Sequence, residues 1–389
     1  MRIFLTIFVV VLILNSNSIT FADHANEPYC FDCMHKYKIG DKKNVNFHKF
    51  RSNLQDNDLS KTVDEMISDK KTGLVSYLLW ENNKILVDQN RKSKYRGGYY
   101  PSHSVGKSLV SLVTGYAICD GYINSVFDNI DYPTVANTLY KDQKLLNLLN
   151  MQAGDEPIVG QRFYRKDNRV NGKGTNVNST PIKTVLKRHF EGKTGYDPGN
   201  HYNYSAMTTN VIMNYVIYKT GDDWEKLLNK IFVEDAKVEK SVYFGKSLEK
   251  HKFSNRKKGE YGRYSFYAQR YDYLRIAKLI MDHWKSDTCV GKYLKTIYER
   301  RISKSNRDKN EPLFGRTKTY GGQFHMDYPG LKDRVVFGFS GYGGNVILID
   351  VEKSRIVVLN SVHYNNEKFK YSMKKLLIDP IKKGKWKNF

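Results

Sequence analysis

At 389 residues, with 40% apolar and 13% aromatic side chains, the chain can bury a large core and falls outside the disordered and fibrous classes. Lys and Arg number 64 against 40 Asp and Glu, a formal charge of +24, but the basic residues are scattered along the whole chain among many Asn, Tyr and Ile. A nucleic-acid partner needs them gathered on one arm or face, so none is expected. Loose contact with an anionic cell envelope is the only partner the charge suggests.

The N-terminus has the pattern of a signal peptide over residues 1–22. Arg2 precedes an apolar run from Ile3 to Leu14, and Thr20-Phe21-Ala22 offers small residues around a cleavage site after Ala22. The run is shorter than the roughly 20 residues that span a bilayer, so the mature protein is expected outside the cytoplasm, periplasmic or secreted. Residues 23–52 read as a polar, irregular lead-in. Export permits disulfides, and the cysteines are Cys30, Cys33, Cys119 and Cys289. Cys30-Phe-Asp-Cys33 can close on itself, hold a metal with His35, or stay as free thiols. A single CxxC does not make a zinc site, and no metal or cofactor is expected. Cys119 lies on an apolar helical face and reads as core.

An amphipathic helix is expected over 54–68, then strands over 74–80 and 84–88 joined at Glu81-Asn82-Asn83 in a hairpin. From Ser104 the period becomes helical: Val105, Leu109, Leu112, Val113, Tyr116 and Ala117 recur on one face, and Gly121 stops the run. Residues 125–285 read as helix or loop. They include a short helix over 145–151, an Asn/Gly-rich loop over 155–180, a helix marked by Val211, Ile212, Tyr215 and Val216, and one capped by Asp272. Strands return over 321–326, 334–339, 344–350 and 355–359, and a helix closes the chain over 369–378. A lone hairpin is marginal, so the early strands must join the late ones. The fold class is therefore α+β: an antiparallel sheet flanked by terminal helices, with an inserted, mostly helical region.

The most strongly patterned helix opens on Ser104-Val105-Gly106-Lys107. Residues i and i+3 share a helix face, so Lys107 can reach the Ser104 hydroxyl, and a buried neutral lysine can take its proton. The helix N-terminus adds donors and positive potential where negative charge develops. The same spacing occurs at Ser68/Lys71, Ser247/Lys250, Ser254/Lys257 and Ser372/Lys375, but none of those starts a long apolar helix after a strand pair. The plain alternative is an N-cap serine beside a solvated lysine.

Ser102-His103-Ser104-Val105-Gly106-Lys107-Ser108-Leu109-Val110 resembles the Ser-x-x-Lys element of the serine β-lactamase and penicillin-binding-protein superfamily. The likeness is to its class C-like branch, which also holds carboxylesterases, D-aminopeptidases and 6-aminohexanoate-dimer hydrolases. Leu145 through Gly154 is similar to that branch's LLxMxSG segment, and Asp197-Pro198-Gly199 followed by Tyr202-Asn203-Tyr204-Ser205 to its PGxxFxYS segment. Gly341-Tyr342-Gly343-Gly344 resembles its GxGG turn between late strands. The segments occur in the family's order across residues 54–380. The resemblance implies one β-lactamase-like domain over 53–389, with sheet parts at 53–100 and 315–389 around a helical part at 101–314.

It also implies that Tyr204 stands beside Ser104 and Lys107 as proton acceptor or relay. Where the family's second element ends in Asn, this chain has Ala206. Where the third element, Lys-Thr-Gly or His-x-Gly, is expected, the chain has Phe339-Ser340-Gly341, which lacks the cation for a substrate carboxylate. The amides of Ser104 and Tyr342 are the oxyanion-hole candidates, with Gly341, Ser340 and Phe339 along the substrate. His103 is expected to be structural. A Ser-His-Asp hydrolase built on Gly338-Phe339-Ser340 is a poor fit, because Tyr342 stands at the elbow's last glycine and βα units are missing. The expected function is hydrolysis of an ester or amide through an acyl-enzyme on Ser104, poor on β-lactams. A silent relative that binds cell-wall peptide or a partner is the alternative.

Overall fold

The computed structural model describes residues 35–40, 44–54, 58–69, 73–91, 98–159, 181–250, 260–304, 317–331, 333–361 and 374–384. The expected signal peptide, the Cys30/Cys33 pair, most of the 155–180 loop and the start of the closing helix lie outside these residues.

Strands β3 (Leu74–Glu81) and β4 (Lys84–Asn90) form the expected hairpin. Asn82 and Asn83 take φ of 47° and 65° in its two-residue turn, the left-handed pair that a tight hairpin requires and that Asn tolerates. The late strands β11 (Val336–Gly341), β12 (Asn345–Asp350) and β13 (Arg355–Ser361) run antiparallel. β13 then pairs with β3, setting Leu359 opposite Tyr77 and Val357 opposite Leu79. The two ends of the described chain thus share one sheet.

Short strands extend it: β2 (Arg51–Ser52), β8 (Ile302–Ser303), β9 (Thr319–Gly321) and β10 (Phe324–Met326). Among the described residues the order is β2-β4-β3-β13-β12-β11-β10-β9-β8, antiparallel except for the β2–β4 pair. The stretch read as one strand over 321–326 is a hairpin instead, turning at Gly322 and Gln323 with φ of 56° and 68°.

Side chains alternate across the sheet. Tyr77, Leu79, Leu348 and Val357 pack with Leu59, Val63 and Ile67 of α1 (Asp58–Ser68) and with Leu376, Leu377 and Ile381. Each such apolar side chain contributes about 1.5–3 kcal/mol when removed from water. Leu78, Trp80, Ile347, Ile349 and Val358 face the larger core. That core surrounds α2 (Val105–Cys119), whose residues 105–117 are buried all round, as befits a central helix rather than a surface one.

A second sheet was not legible. β1 (Lys36–Ile39), β5 (Tyr100–Pro101), β6 (Val242–Lys250) and β7 (Glu260–Ala268) assemble in the order β1-β6-β7-β5. β6 and β7 lie inside the range read as helix or loop. The reason is that β7 is covered on both faces: Tyr261, Tyr264, Phe266, Tyr267 and Ala268 are all buried, which erases the period of two.

The remaining long helices are α4 (Ala206–Thr220), α5 (Arg270–Ser286) and α6 (Cys289–Glu299), with the short α3 (Leu145–Leu149) ahead of them. Asp272 does not cap α5, whose N-cap is Gln269. Its carboxylate accepts from the amides of Glu239 and Lys240 and pairs with Arg275 at 2.6 Å. Cys119 is likewise no plain core residue, since it is bonded to Cys289 across 170 residues of sequence.

Candidate active site

Ser104 is the N-cap of α2, at φ −71° and ψ −8°, and its side chain makes no capping hydrogen bond. The hydroxyl of this half-buried residue is thus not spent on its own helix. The preceding turn is fixed from several sides. The Ser102 amide donates to Phe266 O at 2.7 Å, and Ser102 Oγ accepts from the Phe266 amide at 2.8 Å. His103 is held at φ 46°, a left-handed conformation that costs a non-glycine residue on the order of 1 kcal/mol. Its carbonyl accepts from Ser102 Oγ and from the Gly106 amide. Gly106 is required because a Cβ there would lie 1.9 Å from Tyr264 O, so α2 seats directly on the β7 backbone.

Lys107 follows one turn later with 1% of its surface exposed. Its Nζ has no hydrogen-bond partner among the described residues. It lies 3.8 Å from the Tyr264 ring centroid and 5.1 Å from that of Tyr204. Burial pushes its pKa down from 10.5 to about 7, because the ammonium form loses hydration without gaining a carboxylate. At neutral pH a large share of the molecules therefore carries a neutral amine on the residue one helical turn past Ser104.

Tyr204 lies on the half-buried approach to α4. The Asn203 amide donates to Met151 O at 2.7 Å, and Ser205 Oγ caps α4 by accepting from the Thr208 amide. Ala206 opens α4 and offers no side-chain amide.

β11 delivers its end to the same place. A Cβ on Gly341 would lie 2.4 Å from Ser102 O and 3.3 Å from His103 Cβ, so the strand meets the turn that carries Ser104. Ser340 is half-buried. Tyr342 is 47% exposed, edge-on to His103 at 6.0 Å. Phe339 is a correction: it is fully buried and packs edge-on to Phe324 at 5.1 Å, so it belongs to the core rather than to the substrate lining. Alternation along β11 puts it in the layer of Phe337, which Phe324 also contacts. His103 is held neutral at pH 7, because burial lowers its pKa to about 4.

Residues that no motif marked complete the surroundings. Beyond Tyr204 lie Tyr320 at 6.1 Å and His325 at 6.0 Å between ring centroids. Lys304, 2% exposed, donates to Thr317 Oγ1 at 3.0 Å and approaches His325 Nδ1 at 3.5 Å. Burial first, then the charges of Lys304 and Lys107, holds the His325 pKa well below its ordinary value. A lone lysine just past a short edge strand carries no sequence signal, and Tyr264 sits on a strand whose pattern was erased. Among the described residues no cluster of His, Cys, Asp or Glu could hold a metal ion.

No protein-family model and no curated protein sequence matches the chain. Solved structures do. A Bacillus anthracis protein assigned as a 6-aminohexanoate-dimer hydrolase superposes with a TM-score of 0.67 at 13% identity, covering 93% of this chain and 94% of its own. An octameric penicillin-binding protein homologue from Pyrococcus abyssi gives 0.55 at 17% identity, over 84% and 78%. A D-stereospecific amidohydrolase from Streptomyces gives 0.56 at 12%, over 84% and 98%. The chain has the fold of the serine β-lactamase and penicillin-binding-protein superfamily.

Proposed function

We propose that the protein is an exported serine hydrolase that cleaves an ester or linear amide through an acyl-enzyme on Ser104. The observation that carries this reading is Lys107: a buried amine without a hydrogen-bond partner, near-neutral in pKa, one helical turn from an uncommitted serine hydroxyl. A solvated structural lysine would have none of these properties. Lys107 Nζ takes the Ser104 proton, directly or through the Tyr204 hydroxyl, as Oγ adds to the substrate carbonyl. The amides of Ser104 and Tyr342, with the α2 N-terminus behind, hold the oxyanion. Collapse expels the alcohol or amine, which leaves with that proton, and water repeats the sequence to free the acid.

Three further features support the finer parts. A disulfide between Cys119 and Cys289 fits an oxidising compartment and hence export. The charge-free run from Phe337 to Tyr342 and the bare Ala206 favour neutral acyl groups over β-lactams, whose carboxylate needs a paired charge when desolvated. Exposed Tyr342 offers an apolar edge to such a group. Labelling with a fluorophosphonate, followed by mapping of the tagged residue, tests the reading. A tag on Ser104 that is lost in Ser104→Ala is the expected outcome, and absence of any tag on native protein would leave the silent relative.

A further inference from the structure

Asp155 is fully buried, in a place where the proposed chemistry does not use it. Its Oδ2 accepts from Tyr140 Oη at 2.9 Å and from Thr208 Oγ1 at 3.0 Å, and its Oδ1 accepts from Asn203 Nδ2 at 2.9 Å. Each donor is neutral, and no ion pair involves this carboxylate among the described residues. Burying a carboxylate in this way opposes folding, because it loses hydration and gains no cation. Three charge-assisted hydrogen bonds and the first turn of α4 offset that.

The three donors mark what the arrangement achieves. Asn203 immediately precedes Tyr204, and Thr208 lies in the first turn after it. Tyr140 anchors the carboxylate from a separate segment that packs on Phe190. Asp155 therefore grips the chain on both sides of Tyr204, while the Met151 carbonyl and sulfur take the amides of Asn203 and Ser205. With its neighbours fixed, the Tyr204 ring is left 5.1 Å from Lys107 Nζ.

We propose that Asp155 is a positioning residue for catalysis, setting the Tyr204 phenol against Lys107 and Ser104 through its bonds to Asn203 and Thr208. This rests on the reading that Tyr204 moves protons in the reaction. An amide at 155 keeps the shape, but its NH2 faces at least one of the present donors, so the Tyr204 loop must shift. A shift of about an ångström at a reacting group costs on the order of a hundredfold.

The test is a double-mutant cycle on kcat for a short-chain nitrophenyl ester. Asp155→Asn is expected to lower kcat about ten- to a hundredfold with KM changed less than about threefold. In a Tyr204→Phe background the same substitution is expected to cost less than about threefold. An equal loss in both backgrounds, or no loss in either, overturns the inference, since a merely structural role is indifferent to the phenol. Thr208→Val removes one donor with little change of shape, and should show a smaller loss with the same dependence on Tyr204. It serves if Asp155→Asn does not fold. Should Tyr204→Phe retain native kcat, the reading of Tyr204 as proton relay fails and this inference with it, while Ser104 and Lys107 stand, an outcome distinct from additivity with a crippled Tyr204→Phe.

Discussion

Replacing Lys107 by methionine should stabilise the protein in mild acid while abolishing most of its activity. Burial moves the lysine pKa from 10.5 to about 7. The unfolded chain therefore binds more protons than the folded one between these values, and stability rises with pH across that window. Below about pH 7 the cost to the folded state is full; above the unfolded value it has vanished. At 1.36 kcal/mol per pKa unit it comes to about 5 kcal/mol near pH 6 and about 2 kcal/mol near pH 9. The Tyr264 ring, 3.8 Å from Nζ, returns part of this to the charged form, about 1 kcal/mol. The stability gap between native and Lys107→Met protein should then change by about 1.5–3 kcal/mol from pH 6 to pH 9. Urea unfolding of both proteins at the two pH values measures it, since Met is nearly isosteric and leaves other titrations in place. Parallel pH profiles would refute the claim that a neutral amine is buried beside Ser104. Loss of less than about tenfold in ester turnover would refute its role as base.

For the native protein, kcat/KM should rise through a single limb near pH 7 if the deprotonated Lys107 accepts the serine proton as proposed; a flat profile from about pH 5 to 9 speaks against it. Tyr204→Phe should fold with an unchanged circular dichroism spectrum and lose on the order of a hundredfold in kcat, and adding Lys107→Met should cost little more, as expected of groups serving one step. A short-chain nitrophenyl ester should be turned over with far higher kcat/KM than a chromogenic cephalosporin; equal efficiency would sink the substrate assignment and leave Ser104 in place. N-terminal sequencing of exported protein should begin near Asp23, and recovery of intact Met1 from the membrane fraction would overturn the signal-peptide reading.

The parts of the site that local chemistry marks were readable in the sequence. Ser104 and Lys107 were singled out because helical spacing puts them on one face and an apolar helix follows. Tyr204 was placed by resemblance in the Asp197–Ser205 region, and the structure sets its ring beside Lys107. Other parts depended on long-range packing. Phe339 was read as lining because its motif position was known, whereas its side of the strand was not; Phe324, on a neighbouring strand, decides that. Lys304 and Tyr264 reach the site from segments that carry no periodic or motif signal, and Asp155 comes one residue past the Leu145–Gly154 segment, whose pattern does not mark it. β7 escaped for the opposite reason: burial of Tyr261 and Tyr267 on one face as well as Tyr264, Phe266 and Ala268 on the other left its apolar residues without clean alternation. The Cys119–Cys289 bond could not be inferred from spacing, since both residues also suit an apolar helix end.

That bond makes part of the chain a closed covalent ring. It joins the last residue of α2, the helix that begins at Ser104, to the first residue of α6, and the ring between them contains Tyr204, Asp155 and β7. A protease that cuts once anywhere in the ring opens a loop but releases nothing. The Ser104 side and the Tyr204 side remain one molecule, and the packed core can hold them in register. In surroundings rich in peptidases, a nicked molecule would thus still carry a whole site. On a denaturing gel it would run as one band until a reductant separates two fragments.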